Sequence, residues 1–353
     1  MSAAPIPPAA GIVDCAVHPA PRHPDDIRAY MREPWRSRPF PGLQRYFYPA
    51  PNGDFDPAAG PNPGTDPDLV ARHVLRDRGA AAAILLPQTR GLLPDLDLAA
   101  AICAATNDWL AAQWLDRPGF YGSIRVSPAD PVQAVAEIER WAGHPRMVQV
   151  AVPMQAHQPY GQRLYAPIWE AAARHGLPVA VHIDSASGVE LQTTPVGAAA
   201  HYVEWSALYP LNFGVHLASF IAEGVFGRLP DLRVVFADGG IDMLPPLAWR
   251  MDKNWRPTRN ETPWVDRTPT AYLRQHVRFL SHRLEGPADA ATRAKWLSLT
   301  GAANLLMYGS SYPAWDGCDP ATAVAGADSA TATRILGASA RDWYRLAGEA
   351  AQA

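Results

Sequence analysis

Cysteine is scarce in this chain: Cys15, Cys103 and Cys318 are the three among 353 residues, and they lie far apart. Three scattered thiols make neither a disulfide framework nor a thiolate metal cage, so reduced cysteines are expected. An excess of charge of one sign is missing as well. With a net charge of −3 and a pI near 6.4, the sequence offers no basic field for nucleic acid and no polybasic segment for an anionic membrane surface. It contains no stretch of about 18 or more uncharged apolar residues. Met1 to Ala10 lacks the positive charge and apolar core of a secretory signal, so the expected location is the cytoplasm.

What is present is ample material for a core. A 48% hydrophobic content over this length suits one large α/β barrel or two ordinary domains. Eight short apolar, β-branched runs alternate with longer helical patterns: Gly11 to His18, Ala81 to Pro87, Tyr121 to Val126, Met147 to Pro153, Pro178 to Ile183, Arg233 to Ala237, Val277 to Ser281 and Leu305 to Gly309. Between them, Asp95 to Leu115, Pro131 to Ala142 and Tyr165 to His175 repeat apolar residues every three or four positions, as helices do. Eight strands with intervening helices predict an α/β fold, a single (β/α)8 barrel domain over residues 1–353. Two connections are too long for ordinary loops: the Pro- and Gly-rich segment 36–68 after the first strand, and 185–212 after the fifth, which holds Tyr202, Trp205 and Tyr209. Loops at strand C-termini build the active site of such barrels, so both insertions are expected at its mouth. The 36 prolines and abundant Ala and Arg suggest a GC-rich genome.

Several segments, in order along the chain, resemble the amidohydrolase superfamily, in the branch similar to aminocarboxymuconate-semialdehyde decarboxylase. They are Asn107-Asp108-Trp109-Leu110, Asp130-Pro131 with Ala134 and Glu137, Leu177 to His182, Gly224 to Val235, Leu244 to Lys253, Glu261 to Trp264, and Ser310 to Asp316. The resemblance implies a barrel whose first strand ends in a pair of metal-binding residues two apart. Here that pair reads Ala16-x-His18, and an alanine methyl cannot ligate a cation. The fifth-strand histidine of the family matches His182, and the sixth-strand acid/base or ligand-supporting position matches Asp238. The eighth-strand aspartate and the histidine after it match Ser311 and Ala314.

Two imidazoles, His18 and His182, therefore remain of the usual ligand set, which is a poor site for a catalytic ion. Asp14, Asp238 or Asp184 could supply a third ligand, although Asp14 reads more naturally as a brace for the first strand. Asp238, at the end of a buried apolar strand, needs a partner to sit there. Arg125, flanked by apolar residues on the third strand, is a candidate for binding a substrate carboxylate. Trp205, Ser311 and Trp315 complete the expected substrate-binding residues. His157, His175, His201 and His216 read as surface or packing residues.

The leading expectation is an enzyme of this superfamily that works with no metal or other cofactor. His18, His182 and Asp238 would carry acid–base chemistry on a small aromatic or unsaturated carbonyl or carboxylate compound. Hydrolysis of an activated ester or lactone, decarboxylation, and cyclisation or elimination all fit, and secondary metabolism is a setting consistent with them. The alternatives are a non-catalytic ligand-binding descendant and a metal-dependent hydrolase or decarboxylase with His18, His182 and Asp238 as rearranged ligands. The expected partner is a small-molecule substrate, with neither nucleic acid nor membrane. Relatives are often dimers, so a homodimer is expected, joined through the 36–68 segment or the region of Trp264.

Overall fold

The computed structural model describes residues 11–37, 63–88, 92–183, 196–197, 199–284 and 286–346. Most of the 36–68 segment, much of 185–212, and Asp184 lie outside the described residues. Eight strands form one parallel sheet in sequence order: β1 (Ile12–Val17), β2 (Ala80–Leu85), β3 (Phe120–Arg125), β4 (Met147–Pro153), β5 (Val179–His182), β6 (Val234–Ala237), β7 (Val277–Leu280) and β8 (Leu306–Met307). The sheet closes on itself. Cys15 N–H donates to the Tyr308 carbonyl at 2.9 Å, and Val17 bridges Tyr312 in parallel. This is the (β/α)8 barrel that the alternating pattern predicts.

The strands read as continuous apolar runs because both faces of a parallel sheet are covered. In β4 every residue is buried. Val150 and Val152 pack outward with the helices, while Val148 and Ala151 join Val13, Cys15, Ile84, Ala180, Val235 and Met307 in a smaller cluster that fills the barrel. The helices start where sequence chemistry says they should. Asp95 caps α1 (Leu96–Trp114) by accepting from Leu98 N–H at 3.0 Å. Asp130 caps α2 (Pro131–Trp141), accepting from Val132 and Gln133, with Pro131 in the first turn where its missing N–H costs nothing. After β5, α3 (Tyr202–Leu208) carries Trp205, and Tyr209 joins it to α4 (Pro210–Ala222). The C-terminal helix α5 (Ser339–Tyr344) covers the N-terminal end of the barrel, where Tyr344 donates to Gln149 Oε1 at 3.0 Å.

Asp14 braces the closure. It is fully buried in β1, and its Oδ1 accepts from Ser310 N–H at 2.9 Å and from Ala16 N–H at 3.2 Å. Cys15, Cys103 and Cys318 are free and buried. Among the described residues no helix is long and apolar enough to cross a membrane. Trp264 donates its indole N–H to the Ala222 carbonyl at 2.7 Å and leaves about half its surface exposed.

Candidate active site

The C-terminal ends of the strands gather one polar cluster. His18 follows β1, Arg125 ends β3, His182 ends β5, Asp238 follows β6, His282 lies two residues past β7, and Ser311 lies in the turn after β8. All six are buried. The catalytic-face residues expected from sequence, His18, His182 and Asp238, are thus brought together with Arg125 and Ser311.

His18 and His182 lie side by side, with ring centroids 4.7 Å apart. The Nδ1 of His18 is 2.9 Å from the Leu86 carbonyl, which can only accept, so Nδ1 carries the hydrogen. Its Nε2 is then the acceptor and takes the Ser311 hydroxyl at 3.1 Å. Ser311 stands where the resemblance places an aspartate, and it is held in the left-handed region at φ 55°. Among the described residues, His182 Nδ1 has no hydrogen-bond partner. Burial keeps both rings neutral: it lowers His18 to about 4 and holds His182 well below the ordinary imidazole range, with neighbouring His18 and Arg125 adding to the effect on His182.

The charged centre lies elsewhere. Asp238 and His282 form a buried ion pair through His282 Nδ1–H and Asp238 Oδ1. Burial alone would raise the Asp238 carboxyl. The positive charge and hydrogen bond of His282, with Arg283 nearby, outweigh it and hold the carboxyl far below its usual range. Burial alone would lower His282, but the Asp238 charge and hydrogen bond, aided by Asp316, raise it. The backbone is bent to make this pair: Asp238 adopts φ 145°, and Gly239 and Gly240 follow at φ 92° and 98°, a turn that glycine permits. Tyr209 pins it by donating its hydroxyl to the Asp238 carbonyl at 2.5 Å.

A second tier surrounds the pair. Asp316 Oδ1 sits 3.4 Å from His282 Nε2, and Asp316 Oδ2 accepts from Arg283 Nε at 2.9 Å. The Arg283 guanidinium lies over Trp205 at 4.9 Å and over Tyr209 at 5.3 Å. Trp205 therefore packs against Tyr209 and Arg283, and Trp315, beside Asp316, is half exposed. His216 is a packing residue, buried against Tyr160 with centroids 4.2 Å apart. Sequence reasoning missed His282, Arg283 and Asp316 as functional residues. The signal was present: Ser281-His282-Arg283 follows an apolar strand on the catalytic face, as Asp238 follows its own.

These donors do not fit a catalytic metal with three protein ligands. Ala16 brings no donor atom, Ser311 is engaged as a donor to His18, and Asp238 is neutralised by His282. Among the described residues no three His, Cys, Asp or Glu side chains converge to hold an ion. What the cluster offers is an imidazole whose protonated form a carboxylate favours, together with two imidazoles that burial keeps neutral.

A (β/α)8 barrel with its polar residues at the strand C-termini has the architecture of a barrel enzyme. The chain belongs to the amidohydrolase family, whose profile matches residues 13–346. It is similar to the decarboxylase OrsB of Emericella nidulans, 26% identical over a 189-position alignment that covers 47% of this chain and 56% of that protein. The match thus spans little more than half the length of that curated relative. Among solved structures, an amidohydrolase from Mycobacterium avium subsp. paratuberculosis superposes with a TM-score of 0.73 at 22% identity, covering 96% of this chain and 98% of that one. The 5-carboxyvanillate decarboxylase of Novosphingobium aromaticivorans, complexed with manganese and 4-hydroxy-3-methoxy-5-nitrobenzoic acid, gives a TM-score of 0.68 at 21% identity, covering 96% and 97%. Both likenesses establish the fold.

Proposed function

We propose that this protein is a decarboxylase of small hydroxylated aromatic carboxylates that works by proton transfer without a catalytic divalent metal. The observation that carries the reading is the buried Asp238–His282 pair. In it the Asp238 carboxylate favours the protonated form of His282, whereas burial favours the neutral forms of His18 and His182. The naming of two relatives as decarboxylases, one of them of 5-carboxyvanillate, supports the substrate class.

In this reading Asp238 holds Nδ1–H of His282 and orients the ring, so that Nε2–H is the acid. The proton passes from Nε2 to the ring carbon bearing the carboxylate, forming a C–H bond. The C–C bond to the carboxylate then breaks, its electron pair restores the aromatic ring, and carbon dioxide leaves. A hydroxyl on the substrate ring makes that carbon electron-rich, and its O–H can be donated to His182 Nδ1, which lacks a partner among the described residues. Arg125, whose positive charge acts on His182, is the cation for the substrate carboxylate. Trp315 walls the mouth, and Trp205 supports it through Arg283. One neighbour is complexed with manganese; in this reading His282 takes the place of a Lewis acid by supplying a charge and a proton.

The test is carbon dioxide release from 5-carboxyvanillate and related hydroxybenzoates by protein stripped with a chelator. Turnover with metal below about 0.1 equivalent, lost in His282→Asn, is the expected outcome. Activity that disappears on chelation and returns with manganese would overturn the metal-free step. Ligand binding with no turnover of any hydroxybenzoate would favour a non-catalytic descendant.

A further inference from the structure

A decarboxylation consumes one proton per turnover, and that proton comes finally from water. The acid assigned above cannot collect it directly, because the His282 side chain is 2% exposed and the Asp238 side chain 7%. The groups around His282 Nε2 narrow the route. Arg283 is permanently charged and delivers no proton at neutral pH. Tyr209 spends its hydroxyl on the Asp238 carbonyl. His18 has both ring nitrogens engaged, one on Leu86 and one on Ser311. Asp316 remains: its Oδ1 lies 3.4 Å from His282 Nε2, and its side chain, 20% exposed, reaches solvent. Arg283 holds the other oxygen at 2.9 Å, which fixes the carboxylate with Oδ1 turned toward the imidazole.

We propose that Asp316 carries the proton from solvent to His282 Nε2 between turnovers; this rests on the decarboxylase reading. After Nε2 gives its proton to the substrate, His282 is a neutral imidazole with Nδ1–H still on Asp238 and a bare Nε2. Asp316 takes a proton from water on its carboxylate and passes it to Nε2. The imidazolium is restored, the carboxylate is ionised again, and one hydroxide is left in solvent for each carbon dioxide released. The 3.4 Å separation is a weak resting contact, long enough to open when substrate takes its place at Nε2 and short enough to re-form when product leaves.

The experiment compares Asp316→Asn and Asp316→Glu with the unaltered protein in buffers of rising formate or acetate concentration. In Asp316→Asn, kcat should fall by about tenfold to a hundredfold with KM within about twofold, and should recover as the small acid is added. Asp316→Glu, which keeps a carboxylate, should retain more of the rate than Asp316→Asn and respond less to added acid. A loss that added acid does not repair, with the fold intact by circular dichroism, would show a packing role through Arg283 and overturn the proposal. So would an unchanged kcat. A substrate-free measurement separates this from the function reading: exchange of the His282 imidazole N–H with water, followed by NMR in 15N-histidine-labelled protein. Slower exchange in Asp316→Asn supports the proton route even if no hydroxybenzoate is turned over, and equal exchange sinks it even if decarboxylation is real.

Discussion

Asp238 and His282 follow neighbouring strands, and each shifts the other's ionisation: the carboxylate raises the imidazole toward its protonated form, and the imidazole's positive charge and hydrogen bond hold the carboxyl far below its usual range. Removing one partner of a buried pair strands the other in a low dielectric. Asp238→Asn should therefore leave His282 neutral at pH 7 and lower kcat by about 10²- to 10⁴-fold. It should also cost about 3–5 kcal/mol of folding stability in a urea titration. A variant with an unaltered rate would remove the pair from the chemistry.

Stability should fall in mild acid. His18 and His216 sit near pKa 4 in the folded protein and His182 lies well below 6.5, all through burial, while an unfolded chain restores each to about 6.5. Between about pH 6.5 and 4 the unfolded state binds more protons at these sites, so stability drops as pH drops. The His282 shift runs the other way, since its contribution is full below about pH 6.5 and fades as pH rises through its raised value, but it is one group against three. Denaturant midpoints at pH 7 and pH 4.5 measure the balance. A higher midpoint at pH 4.5 would contradict it.

Ser311 sits beside His18 Nε2 in a left-handed backbone conformation that aspartate tolerates better than most residues. Ser311→Asp should put a carboxylate next to the two imidazoles and create the third ligand that is lacking. Calorimetric titration with Zn²⁺ should show near-stoichiometric binding in the variant and weak binding in the original. Equal binding in both would mean that Ser311 is not what limits the site.

Tyr209→Phe removes the hydroxyl that pins the Asp238 carbonyl. A cost of about 1 kcal/mol in stability is expected. A larger fall in kcat than in KM should accompany it, because Asp238 is held at φ 145° and loses its restraint while the substrate-facing groups stay in place. A change confined to KM would assign Tyr209 to binding instead.

The barrel was legible in the sequence because it is a local pattern repeated eight times. Met147 to Pro153 is β4 to the residue, and Asp95 and Asp130 mark the starts of their helices. The family resemblance singled out His18, His182, Asp238 and Ser311, and apolar flanks on the third strand singled out Arg125; the fold gathers all five at the C-terminal ends of the strands. His282 was not legible, since it lies two residues past the end of its strand and its importance depends on Asp238, 44 residues earlier in the chain, and on Asp316, 34 later. Trp205 was legible as an aromatic of the site region, but its role as a platform for Arg283 arises from tertiary contact that no spacing encodes.

The closure of the barrel has a consequence for how the protein is made. Asp14 holds Ser310 across 296 positions, and His18 takes the hydroxyl of Ser311 across 293. As the chain is made from its N-terminal side, His18 emerges 293 residues before its partner. The first strand must wait for its closing partner until the eighth has been made. A chain stopped before Ser310 would lack this bond and the seam that closes the barrel, however well its first seven strands had paired.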